Sequence, residues 1–317
     1  MEDSHSPQQY TVTSDGAMFV AIITVETFAG MWINAFIVCV ISIAWVKKKT
    51  LNSNEKILLL LGCSRFYFLC FSWIHSFLST IYPYYLLVHP IIQLLLGASS
   101  IFNCSNLWIS ACLCVFYCIK IANVRKYFFI YLKVNINRIL PWLLLGSEIF
   151  SLVIGIFTYN IIDKAVCENI NFTCQGIVWK ANIRIQEHFY PLYFLTGFVY
   201  TISFMAVIFS AVFLLVSLWR HKHKMQTNSM SSLSMDAHIK AMKSILSFLV
   251  MYCINFMSLI LTLINSTNNK THLMFLIYLI LYAFPGVHSI IVILSNPSLE
   301  KTLYRILSCV KCKVCMR

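Results

Sequence analysis

Long apolar runs alternate along the chain with short polar, basic segments. Seven runs reach membrane-spanning length, at 18–46, 57–81, 90–119, 139–162, 190–218, 241–264 and 273–295. A helix needs about 20 apolar residues to cross a bilayer. A lipid-facing backbone must satisfy its own hydrogen bonds, and the alternation of barrel strands is absent, so each run predicts a helix. The predicted fold class is an all-α membrane protein, a seven-transmembrane helix bundle. The runs are not repeats of one another, so 1–317 reads as one domain, ending in a short basic tail at 296–317. Residues 1–16 are polar and carry Glu2, Asp3 and Asp15. That pattern predicts no cleavable signal peptide, and the first run stays as a span.

Composition strengthens this reading. The chain is 59% hydrophobic and 11% charged, where soluble domains average about 25% charged. Lipid is the expected solvent for most of its surface. A net charge of +13 brings nucleic acid to mind. However, the basic residues cluster between spans, so no nucleic-acid partner is expected. They also set the orientation. Lys47, Lys48, Lys49 and Lys56 follow the first run, and Lys120, Arg125, Lys126, Lys133 and Arg138 follow the third. Arg220, Lys222, Lys224, Lys240 and Lys243 follow the fifth, and the tail adds five more. Basic loops stay on the cytoplasmic side, which predicts an outer amino terminus, an inner carboxyl terminus and a multi-pass plasma-membrane protein. The sequons at Asn171, Asn265 and Asn269 then fall in outer loops, with Asn171 the main expected glycan site. A fourth sequon, Asn103-Cys104-Ser105, lies inside a span and reads as a chance match.

The chemistry-bearing residues do not form a catalytic set. Gly-rich phosphate loops, His-Glu-x-x-His and Gly-x-Ser-x-Gly are missing, so neither an enzyme nor a cofactor is expected. The histidines lie mostly at membrane ends, which predicts no metal site. The cysteines within the runs read as small buried hydrophobes. Cys167 and Cys174 share an outer loop and are near enough in sequence to pair. Cys309, Cys312 and Cys315 sit beside Lys311 and Lys313, a pattern suited to acylation at the inner leaflet. Ionisable groups inside spans are costly and mark function. Arg65 lies about 13 Å into the second span at 1.5 Å per residue. Asn34, His288 and Ser289 lie at matching depth. Three roles are open to Arg65: an interhelical switch network, a ligand contact, or snorkelling. Glu26 and Glu148 read as hydrogen-bonded structural acids. Pro285 removes a backbone bond within the seventh span and bends it.

Several stretches, in order, resemble one family. Span two reads Leu58-Leu59-Leu60-Leu61-Gly62-Cys63-Ser64-Arg65. Span three ends Phe116-Tyr117-Cys118-Ile119-Lys120-Ile121-Ala122-Asn123, and span five exits through Leu218-Trp219-Arg220-His221. Span six opens His238-Ile239-Lys240-Ala241-Met242-Lys243-Ser244, and span seven holds Pro285-Gly286-Val287-His288-Ser289. Over nearly its whole length the chain resembles the type 2 (bitter) taste receptors, which are G-protein-coupled receptors. Asp-Arg-Tyr after span three and Asn-Pro-x-x-Tyr in span seven are both absent, unlike ordinary rhodopsin-like receptors. Ser99, Ser203 and Cys70 stand where many bitter receptors have Trp, Pro and Trp.

The resemblance implies bitter small-molecule ligands and a heterotrimeric G protein of the gustducin (Gi-like) type. A vomeronasal-like or other rhodopsin-like chemosensory receptor is the next reading, and a seven-span transporter a more distant one. A pocket is implied in the outer half of the bundle, at Ser99, Asn103, Tyr252, Asn255, Leu259 and Tyr278. Helical spacing agrees, since Ser99 and Asn103 share one face, as do Tyr252, Asn255 and Leu259. Coupling to the G protein is expected at Tyr117, Lys120, His221, Met225, His238 and Lys240.

Overall fold

A computed structural model describes the backbone of residues 14–86, 88–121, 127–170, 178–227, 232–265 and 271–315. Side chains at 167–170, 178–193, most of 221–241 and 310–315, and at isolated positions elsewhere, lie outside the description. Among the described residues there are helices and no strand. They are α1 (Ser14–Lys48), α2 (Ser53–Ile81), α3 (Pro83–Leu86), α4 (Ile91–Ile121), α5 (Tyr127–Ile170), α6 (Val178–Thr227), α7 (Ser232–Asn265), α8 (Thr271–Ser295) and α9 (Pro297–Cys315). Seven of these, all but α3 and α9, are long and apolar enough to cross a membrane. The all-helical seven-span fold read from the apolar runs is the fold observed. The two ends of the bundle are here the basic end, carrying Lys48, Lys56 and Lys120, and the opposite end, where α1 begins.

Local signals explain where helices start and stop. Asn52 precedes α2, and its backbone N–H donates to the Glu55 carboxylate at 2.8 Å, satisfying a free donor of the first turn. Lys47 and Lys48 occupy the last turn of α1, where a helix dipole favours cations. Lys49 then turns the chain with φ 56°. Helix and apolar run do not always coincide. The fourth span, α5, begins at Tyr127, well before the run at 139, because its first turns carry Lys133 and Arg138 beyond the apolar stretch. The tail, read only as basic, forms α9.

The helices pack through a dense core in the basic half. Ile37 and Ile41 of α1, Leu58 and Leu61 of α2, and Ile109 and Phe116 of α4 belong to it. Leu299 inserts from α9 and fixes that helix against the bundle. In the opposite half, small residues draw backbones together, as expected where lipid supplies no hydrophobic drive. A Cβ added to Gly286 of α8 would come within 3.2 Å of the Gly30 Cα on α1. One added to Gly155 of α5 would come within 2.0 Å of Ile101 on α4. Of the spans, α4 is the most buried, and it stands at the centre.

The buried-cysteine expectation holds for Cys104, Cys114 and Cys118, whereas Cys39 faces outward and Cys63, Cys70, Cys112 and Cys253 are partly covered. An outward position is apolar too in a membrane-spanning helix, so hydrophobicity alone did not distinguish the two. Cys174, Asn171 and Asn269 lie outside the described residues, as do the side chains of Cys167, Asn265, Cys312 and Cys315. Cys309 is exposed on α9.

Candidate functional site

Polar residues recur at helical spacing on the inward faces of several spans. On α4, Ser99, Asn103, Asn106 and Ser110 follow i, i+4, i+7, i+11. On α2, Arg65, Ser72, Ser76 and Ser79 follow i, i+7, i+11, i+14. Residues at these separations share a face. The stripes meet near the bundle axis, where they build a polar septum and, above it toward the opposite end, a cavity.

Arg65 organises the septum. It is fully buried and, among the described residues, meets no carboxylate. Its Nε donates to Asn106 Oδ1 at 2.8 Å, and its Nη1 to Ser289 Oγ at 2.8 Å. Its Nη2 donates to Ser110 Oγ at 3.3 Å and to His288 Nδ1. A guanidinium has no lone pair, so the imidazole must accept at Nδ1. The Ser289 hydroxyl in turn donates to Asn34 Oδ1 at 2.7 Å, and Asn34 Nδ2 donates to the Gly30 carbonyl at 2.8 Å. One network thus ties α1, α2, α4 and α8. Asn34, Arg65, His288 and Ser289, singled out by depth, all belong to it. Pro285 lies one turn nearer the opposite end, within a continuous α8. Asn106 and Ser110 were missed, although the Ser99–Asn103 spacing continued through them.

The cavity has a volume of about 410 Å³. Small-molecule sites commonly fall near 300–1,000 Å³. Ser99, Asn103, Asn255, Leu259 and Tyr278 all line it, as does Pro285. Tyr252 does not. Although it shares a face with Asn255, it sits a turn deeper, buried among Phe204, Phe248 and Phe284. Its hydroxyl lies near Ser203 and Arg65 without a hydrogen bond of normal geometry to either. Polar pairs clasp the cavity walls. Ser72 and Ser99 hydroxyls meet at 2.9 Å between α2 and α4. Tyr282 of α8 pairs with the Ser76 hydroxyl at 2.5 Å and donates to the Ser72 carbonyl at 2.9 Å. Asn103 Nδ2 donates to Tyr200 Oη on α6 at 2.7 Å.

A second, smaller cavity of about 80 Å³ lies on the basic side of the septum. Leu113 and Tyr117 of α4, Leu214 of α6, Ile245 and Phe248 of α7, and His288 line it. The Tyr117 hydroxyl donates to Asn54 Oδ1 at 2.9 Å, and Lys120 Nζ sits 5.1 Å over the Phe116 ring. The side chains of His221, Met225, His238 and Lys240 lie outside the described residues. Of the two acids, Glu148 accepts from Ser105 at 2.7 Å. Glu26 keeps one carboxylate oxygen, Oε2, buried with no hydrogen-bond partner among the described residues.

Seven lipid-length helices around a ligand-sized cavity form a seven-helix membrane receptor bundle. A model of the taste receptor protein (TAS2R) family matches residues 12–311, and the chain belongs to that family, the bitter taste receptors. It is 28% identical over 304 residues to human taste receptor type 2 member 2, covering 94% of this chain and 97% of that one. Mouse taste receptor type 2 member 114 is 28% identical over 303 residues, with 95% and 96% covered. Rat taste receptor type 2 member 41 is 29% identical over 297 residues, with 91% and 94% covered.

Proposed function

We propose that the chain detects bitter small molecules in the cavity above the septum and activates a gustducin-type (Gi-like) G protein at its basic end. The basic end is then cytoplasmic, as the excess of Lys and Arg favours, and the receptor works at the plasma membrane. The supporting observation is the septum. Asn106 lines the ligand cavity and accepts from Arg65, while His288 lines the small basic-end cavity and is bonded to the same guanidinium. A ligand that shifts Asn106 therefore pulls on a group wired to the other face. In this reading Ser99, Asn103, Asn255, Leu259 and Tyr278 touch ligand, and Tyr252 acts from below through its ring contacts.

Calcium release in cells given a gustducin-type G protein and a library of bitter compounds tests this. Agonists are expected, and Asn103→Ala should lower their potency about tenfold, the value of one hydrogen bond near 1.4 kcal/mol. Silence of a receptor verified at the cell surface overturns the assignment. Unchanged potency across several agonists removes Asn103 from the site.

A further inference from the structure

The charge pattern around the cavity above the septum separates the ligands it accepts. Among the described residues, no Asp or Glu lines it. Among the described side chains, the acids of the neighbouring helices are engaged elsewhere or lie outside the lining. Glu148 is bonded to Ser105. Asp163 is held by His89 at 2.9 Å and by Gln93 at 3.3 Å. Glu26 is not part of the lining.

Positive charge, in contrast, sits directly beneath the floor. Asn106 belongs to the lining, and Arg65 is one hydrogen bond below it. Every acceptor that Arg65 meets is neutral, so its charge is spread but not cancelled. In a low-dielectric bundle, away from salt, that field reaches far. Asn106 also relays it. With its carbonyl turned to Arg65, its amide leaves two N–H donors for other partners. Ser100 and His75 add groups able to donate along the walls. Phe19, Phe68 and Leu281 give an apolar body its contact.

We propose that the cavity selects ligands that join an apolar body to an anionic head, a carboxylate, sulfonate or sulfate, and rejects permanent cations. The selection works in both directions: donors and a buried cation attract the anion, and a lining without a carboxylate among the described residues leaves an ammonium unpaired. This rests on the assignment of the cavity as the ligand site.

The test uses the full-length receptor and ring-matched triads. Each ring system, naphthalene, biphenyl or indole, is presented as its sulfonate, its carboxamide and its trimethylammonium. The sulfonates should be at least tenfold more potent than the trimethylammonium partners. Ser100→Asp, which places a carboxylate in the lining, should reverse that order. Trimethylammonium compounds equal to or better than sulfonates overturn the charge selection and leave the site standing. An order unchanged by Ser100→Asp also overturns it. If no triad member acts, anion selection is wrong. The bitter library then decides the parent assignment: agonists weakened by Asn103→Ala keep it, and silence there removes it.

Discussion

Arg65 carries charge into the middle of a lipid-spanning bundle and meets only neutral acceptors there. Removing it orphans several groups at once. Each buried polar group left unpaired costs about 1–3 kcal/mol. Arg65→Met should therefore lower the melting temperature of the purified receptor sharply and reduce its surface level. Arg65→Lys should rescue little, because an ammonium cannot span four acceptors as a planar fork does. A stable, fully expressed Arg65→Met receptor would show that the network is not structural. The sequence made Arg65 conspicuous, because an ionisable group inside a span is rare. It also suggested Asn34, His288 and Ser289, because depth can be counted from helix ends. It was less informative about Tyr252. Face sharing follows from spacing, but whether a residue lines a cavity or lies beneath it depends on where neighbouring helices close. Here the rings of Phe204, Phe248 and Phe284 close over it.

Between helices, the closest approach depends on missing side chains. Gly30 and Gly286 bring α1 and α8 together beside the septum, where Ser289 reaches Asn34. Gly286→Leu should force these helices apart, because the first atom it meets is backbone and cannot rotate away. Lower thermal stability and weakened signalling are expected. Gly146→Leu is the matched control, since its Cβ would meet nothing within 4 Å. Equal melting temperatures for both variants would remove the proposed clamp. The spans themselves were plain in the apolar runs, since lipid imposes both length and polarity. Their helical ends were less so. Apolar runs mark where lipid lies, whereas hydrogen bonds mark where helix lies, and α5 runs past the apolar stretch on its basic side. The tail likewise looked only basic. Its helical character depends on Leu299 finding the core, a contact made by residues far away in sequence.

At the scale of the whole molecule, the two cavities and the septum define a two-ended device. Four helices surround the small basic-end cavity: α4 through Leu113 and Tyr117, α6 through Leu214, α7 through Ile245, and α8 through Ile291 and Ser295. Of the seven spans, α7 is the least buried. Phe248 joins it to His288 through rings whose centroids are 4.4 Å apart, a contact that can slide without breaking a hydrogen bond. Outward movement of α7 at this end would widen the small cavity into a groove. A partner helix could then lay an apolar face into it. Leu113, Leu214 and Ile245 supply the apolar floor. The proposed coupling residues Tyr117 and Lys120 on α4, His221 and Met225 on α6, and His238 and Lys240 on α7 would add polar, aromatic and thioether chemistry. Positive charge alone is no argument here, because membrane topology already requires it. The mixture of side chains is what suits a partner. Replacing His238 and Lys240 together with Ala should cut G-protein activation at matched surface level. Agonist affinity of the uncoupled receptor should stay within about twofold, since both residues lie on the far side of the septum from the ligand cavity. Normal activation by the double variant would count against this coupling face. A parallel loss of affinity would instead place the two residues in the packing of the bundle.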